Sequence, residues 1–262
     1  MNDDARAAAR STGSRTVEVL ALPPGPELPP GTEKWIVDGL VETMPGLRMR
    51  ELFELRRDML VDADYIVAGV DRERDLVVSL LTSRWVTIPS GHACLHVMVQ
   101  FVGDEYRNGP VFGRSWSVHF ARLLADGRPF PQVIALKTYN PVVHCAMSAF
   151  SGHPDITMYP DLSGRLDPGA AALAAVVAGA LAPGAPFDPA RGVIAGIGLP
   201  VDLYHERPTS YVPEANAYFA ANAEPGDRVL CMLRVPTRAG AHAILAALGV
   251  PARGVPSPPE RD

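Results

Sequence analysis

Residues 93–114 read ACLHVMVQFVGDEYRNGPVFGR. The stretch 93–102 is apolar and rich in β-formers, as a strand requires. Turn formers follow over 103–115, and then an amphipathic run over 116–125, so the segment reads as strand, turn and helix. Upstream, 65–70 and 75–88 are β-rich as well, and the links between the three stretches, DRERD and PSGH, are short and polar. Links that short join strands only in antiparallel fashion, so the three stretches are expected to form a meander.

Working outward from the meander, TVEVLAL (16–22) alternates like a short strand, whereas PPGPELPPG (23–31) suits neither helix nor central strand. Thr32 is expected to cap a helix carrying Trp35, Ile36, Leu40 and Val41. A second helix is expected over 50–60, with Leu52, Phe53, Leu55 and Met59 near one face. Downstream, QVIALK (132–137) reads as a strand, and Asn140-Pro141 opens a helix toward 150, with proline at its first position. A short strand over 156–159, an alanine-rich helix over 168–182, a glycine-rich GVIAGIGLP segment, a helix over 213–222, a strand over 228–235 and a helix over 239–248 complete the reading.

The chain has 262 residues, 47% hydrophobic and 20% charged, enough for a sizeable core. A single domain over 16–251 is expected, with an insertion at about 164–225, and disordered tails over 1–15 and 252–262. The longest run of small apolar residues, 170–181, falls short of the roughly 18–20 residues of a spanning helix. The polar start MNDDARAAARSTGSR does not suit a signal peptide, so a soluble cytoplasmic protein without membrane partners is expected. Cys94, Cys145 and Cys231 form no CxxC pair and the histidines no HExxH, so neither a disulfide framework nor a metal is expected. A net charge of −5 weighs against wholesale polyanion binding.

The order strand, two helices, meander, glycine-containing turn, helix, strand, helix, strand resembles the GNAT superfamily of N-acyltransferases. The resemblance covers roughly 16–160 and 227–235. It implies an α/β fold with a mixed, mostly antiparallel central sheet flanked by helices, here with an additional helical insertion before the last strand. Its motif is an Arg/Gln-x-x-Gly-x-Gly/Ala turn opening a helix, whose backbone amides hold the pyrophosphate of coenzyme A. Gly113-Arg114 matches the end of that turn. Asn108 falls where the Arg/Gln belongs, Val111 replaces the first glycine, and Arg107 and Gly109 are shifted substitutes.

The resemblance further implies that Phe101 and Val102 offer main-chain groups to the pantetheine arm and that the preceding strand carries a general base. His96 suits that task, since a histidine accepts a proton near neutrality. A buried, hydrogen-bonded strand histidine is the other reading. Asn140 matches a family asparagine, but the tyrosine that follows it by seven residues is replaced by Met147. His144 and Cys145 are the nearest proton donors, or else residues that pack a helix face.

Three functions follow. An acyltransferase would move an acyl group from acyl-CoA to the amine of a small molecule by direct attack. A transferase of natural-product biosynthesis would take its donor from aminoacyl-tRNA or a carrier protein. A binding module of the same shape would catalyse nothing. Arg48, Arg50, Arg56, Arg57, Arg72, Arg74 and Arg107 would face phosphates in the second case, or form a solvated face among interleaved acids. The insertion, with Tyr204, His205, Tyr211, Tyr218 and Phe219, is too long for a simple loop. It reads as a lid or wall of the acceptor pocket, or as a structural layer or dimer contact.

Overall fold

The computed structural model describes residues 16–89, 91–107, 109–165 and 167–252. The expected tails at 1–15 and, but for Ala252, at 252–262 lie outside them, as does Asn108. The meander is present: β2 (Tyr65–Asp71), β3 (Leu76–Thr87) and β4 (Ala93–Val102) pair in antiparallel order, and β1 (Val17–Leu22) adds to β2. Beyond β4 come β5 (Val133–Thr138), parallel to it, and β9 (Arg228–Arg234), antiparallel to β5. The far edge of β9 carries both β6 (Thr157–Tyr159) and a short hairpin, β7 (Phe187–Asp188) and β8 (Val193–Ile194). The result is a mixed, mostly antiparallel sheet of order β1-β2-β3-β4-β5-β9-β8-β7.

Helices cover both faces. On one side α1 (Thr32–Thr43), α2 (Met49–Leu55) and α3 (Asp58–Val61) pack Ile36, Leu40, Leu52 and Leu60 on Ile66, Ala68 and Leu80. On the same side α6 (Pro168–Leu181) sets Ala174, Val177 and Ala178 on Ala135, Leu230 and Met232. The opposite face receives α4 (Val111–Ala125), α5 (Pro141–Ser148) and α8 (Arg238–Ala247), where Trp116 and Phe120 stack with centroids 5.5 Å apart. Burying a side chain such as Phe120 contributes about 1.5–3 kcal/mol, so these two layers supply most of the drive to fold.

Local details depart from the sequence reading for physical reasons. The N-cap of α1 is Gly31, and Thr32 is its first helical residue. The helix expected over 50–60 breaks at Arg56, whose guanidinium binds both carboxylate oxygens of Asp58 at 2.9 and 3.0 Å. Residues two apart do not face each other on a helix, so that pairing and a continuous helix exclude each other. The helix after Asn140 stops at Ser148, where the Ser148 and Ser151 hydroxyls donate to the carbonyls of Cys145 and Ser148. The insertion is not wholly helical. It holds α6, the β7–β8 hairpin, an irregular run and α7 (Pro213–Asn222).

The largest departure concerns α4, which starts at Val111 rather than near 116. Val111 is 2% exposed, and burying it anchors the start of the helix. Gly69 of β2 makes room for it: a Cβ there would lie 2.9 Å from Val111 Cγ2 and 2.3 Å from Ser79 Oγ. Gly69→Ala is therefore expected to cost about 1–3 kcal/mol by overpacking. Urea denaturation measures this, and an unchanged midpoint would contradict the close approach.

Candidate functional site

Strands β4 and β5 pair over four positions only, from Cys94 opposite Val133 to Val97 opposite Leu136. On its other edge β4 stays paired with β3 as far as Val102, but the register shifts. Thr82 faces Val99 and Ser83 faces Val97, which leaves Met98 as an extra residue. A bulge bends its strand and increases the twist. Past Met98 the two parallel strands diverge, and among the described residues the β5-facing edge of β4 has no strand partner. The gap is a cleft of about 1060 Å³ that runs from His96 along 98–102 to Arg107, Gly109 and Phe112.

At the far end the chain makes a 3-10 turn over Asp104–Tyr106 and enters α4. The turn is pinned by Tyr106, whose hydroxyl donates to Asp71 Oδ2 at 2.6 Å. Burial pushes the Asp71 carboxyl up, but hydrogen bonds from Tyr106 and from the Arg74 and Glu73 amides outweigh it and hold the pKa below normal. The first intrahelical bond of α4 runs from Arg114 N–H to the Pro110 carbonyl. The amides of Val111, Phe112 and Gly113 precede it, and no side chain caps them. A Cβ on Gly113 would meet nothing within 4 Å, so the space above it is open. Gly113 and Arg114 sit inside the first helical turn, and neither is among the residues that line the cleft. The wall of the cleft is made by Arg107, Gly109 and Phe112, together with Phe101 and Val102.

At the near end His96 is 3% exposed and its Nδ1 has no hydrogen-bond partner among the described residues. Burial, reinforced by Lys137, Arg84 and Arg56, holds its pKa well below the usual histidine value, so the ring is neutral. Burial and the same two arginines also lower Lys137, to about 8. Arg56 and Arg84 have carboxylates nearby in Asp58 and Asp62, at 2.9 and 3.8 Å. These cations lie on the face that carries α1, α2, α3 and α6.

The remaining wall comes from the insertion, over 197–211. It is strapped to the loop between α1 and α2: Arg48 N–H donates to the Leu203 carbonyl at 3.0 Å, and His205 N–H to that of Gly46 at 3.2 Å. Arg48 also pairs with Asp202 at 2.9 Å. Arg207 lies 4.9 Å above the Tyr139 ring and donates to the carbonyls of Phe219 and Ala223 at 3.1 and 2.9 Å. Tyr204 projects into the cleft between these anchors, near Asn140, Arg107 and Arg228. Its phenol is raised by burial and keeps its proton.

The site therefore gathers His96, Phe101, Val102, Arg107, Gly109 and Asn140, the last of which caps α5 by accepting from Val142 N–H at 3.0 Å. His144 and Cys145 are not brought to it. His144 binds the Pro160 carbonyl through Nε2 at 3.0 Å and meets Phe219 edge-on, and Cys145 is buried with it. Lys137, Arg228, Gln100 and Tyr139 line the cleft but were not singled out by the sequence, whereas Arg56 and Tyr204, named there for phosphate recognition and for the insertion, line it too. Among the described residues no group of three or more His, Cys, Asp or Glu side chains is placed to hold a metal, and no helix is long and apolar enough to cross a membrane.

No protein-family model and no curated protein sequence matches the chain. Among solved structures it is similar to Arabidopsis thaliana Naa50 in complex with the bisubstrate analogue CoA-Ac-MVNAL. That likeness has 11% identity and a TM-score of 0.41, over 82% of this chain and 97% of that one. It is also similar to a GNAT-family acetyltransferase from Staphylococcus aureus, at 9% identity and a TM-score of 0.36 over 55% and 84%. A third is the GNAT-family N-acetyltransferase YhbS from Escherichia coli in complex with CoA, at 12% and 0.35 over 50% and 66%. Likenesses at these values carry no argument for function.

Three buried histidines have pKa values below the ordinary one: His96, His144 and His119, the last lowered by burial to about 3. The unfolded chain therefore binds more protons than the folded one below about pH 6.5, and stability falls as pH falls through that point. Urea unfolding is expected to lose up to about 1.4 kcal/mol per histidine per pH unit between pH 6.5 and 5. A flat profile over that window would contradict the burial of these rings as neutral groups.

Proposed function

We propose that this chain is an acyltransferase that moves an acyl group from acyl-CoA to an amine by direct attack. The observation that carries the reading is the opening of β4 from β5 at Met98, which joins the uncapped start of α4 to His96 through one continuous cleft. The pyrophosphate would lie against the amides of Val111, Phe112 and Gly113 with Arg107 beside it, where the helix dipole favours negative charge. The pantetheine arm would follow the unpaired edge of β4 past Val102 and Phe101. That edge offers main-chain donors and acceptors at fixed positions, which orient the thioester and stabilise the oxyanion.

The acceptor amine would enter from the side walled by 197–211. Its nitrogen attacks the thioester carbonyl, the C–N bond forms, and the C–S pair departs with sulfur. His96 Nδ1, unpartnered in the structure, takes the proton lost by nitrogen. The thiolate needs a proton in return. Met147 has none to give and is packed in the core at 7% exposure. Tyr204 supplies it in this reading. Its phenol is protonated, lies in the cleft wall, and stands next to the same Asn140.

Each of the seven arginines considered for phosphate recognition is in an ion pair with a carboxylate, and only Arg56 and Arg107 of them line the cleft, which favours the solvated-face reading over an RNA-binding patch for the others. Isothermal titration with acetyl-CoA and longer acyl-CoAs tests the donor. Binding that survives His96→Ala and Tyr204→Phe, with turnover reduced about 10²–10⁴-fold by the first, is the expected result. No binding by any acyl-CoA would overturn the reading, and salt-sensitive binding of aminoacyl-tRNA in its place would transfer it to that donor.

A further inference from the structure

Two cations at the near end of the cleft form no close ion pair with a carboxylate among the described residues; their hydrogen bonds go to carbonyls instead. Lys137 follows the last parallel pair on β5, and its Nζ donates to the carbonyl of Leu181 at 2.8 Å. Arg228 opens β9, and its Nη1 donates to the carbonyls of Pro225 and Asp227 at 2.9 and 2.6 Å. Both line the cleft with Arg56 and His96. Neutral carbonyls hold these side chains in place; Asp58 acts on Lys137 and Asp227 on Arg228 only through space, and burial with the neighbouring arginines outweighs them and lowers both pKa values, so positive charge is in excess here. Arg228 is held by more than these bonds. Gly198 lies across its guanidinium so closely that a Cβ there would fall 2.0 Å from Nη1.

The choice of lysine is informative as well. All but two of the 24 basic residues are arginine, and one of the two lysines stands here. His96 lines the same cleft, opposite Ala135 two residues before Lys137, and its buried Nδ1 has no hydrogen-bond partner among the described residues. A free amine, positively charged in water, is repelled by this group of cations. An amine whose molecule also carries an anion is not. Apolar side chains line the cleft beside them, among them Met44, Leu52, Met59 and Leu203.

We propose that Lys137 and Arg228 bind the carboxylate of the acceptor, so that the substrate is an apolar amino acid or a similar amino carboxylate rather than a simple amine. The proposal rests on the acyltransferase reading for the role of the amine, but the anion site itself does not. Burial and like charges depress both Lys137 and His96, and a bound carboxylate would relieve both. The acceptor would thereby raise the basicity of the group that takes its proton.

Titration of the full chain with N-acetyl-L-leucine, N-acetyl-L-leucinamide and inorganic phosphate tests the site without turnover. N-acetyl-L-leucine is expected to bind at least about tenfold more tightly than its amide. Lys137→Met and Arg228→Met should each erase that preference. Two variants are used because Lys137 also ends α6, and thermal unfolding of each verifies its fold. Equal binding of acid and amide, or a preference that survives both substitutions, would overturn the proposal. Tighter binding of phosphate than of the carboxylate would overturn it too, by assigning the cations to a phosphate. If acetyl-CoA fails to bind while the carboxylate preference stands, the donor reading falls and the anion site remains.

Discussion

Strands β4 and β5 share a parallel ladder for four residue pairs and no further, because β4 carries one residue more than β3 can match, at Met98. That mismatch is small in sequence and large in consequence. A strand that stays paired on one edge while its other edge comes free exposes a row of amide and carbonyl groups inside the protein, where their hydrogen bonds must go somewhere. The cleft supplies that place. Its two ends follow from the same event: the free stretch of β4 leads directly into the turn before α4, and the last paired stretch carries His96.

The two ends are held by different means. The α4 end depends on local anchoring, with Val111 sunk over Gly69 and the Tyr106 hydroxyl on Asp71. The His96 end depends on distant segments. Arg228 arrives on β9, Lys137 on β5, and Tyr204 on a strap tied to the α1–α2 loop through Leu203 and His205. Without the strap this end of the cleft would lie open to water, and the cations there would be ordinary solvated charges. The insertion thus contributes to the low dielectric in which Lys137 and His96 act, and its helix α6 also supplies the Leu181 carbonyl that holds Lys137.

Much of this frame could be read along the chain. The meander strands matched to within a residue or two because apolar runs and short polar links are local signals, and Asn140-Pro141 marked α5 because capping is local too. The bulge could not be read, since an extra residue exists only relative to the partner strand. The start of α4 was missed because Pro110 and Gly113 read as turn formers, whereas burial of Val111 against β2 decides the matter. His144 and Cys145 were nominated as the nearest proton donors to position 147, where Met147 replaces the tyrosine. Helical spacing would have separated them, since Val142, Val143 and Ala146 form the cleft side of α5 and His144, Cys145 and Met147 the core side. Lys137 was visible as a charge ending an apolar strand. Its company with Arg56, Arg84 and Arg228 required the fold.

The central claim is that the free edge of β4 and the first turn of α4 together hold an anionic carrier. Amide hydrogen–deuterium exchange with and without acetyl-CoA tests it most directly, because the amides in question are the proposed ligands. The account expects slowed exchange confined to 98–102 and 109–114, with little change in β1, β2 or α8. Unchanged exchange in both stretches under saturating acetyl-CoA, or protection centred elsewhere, would contradict it.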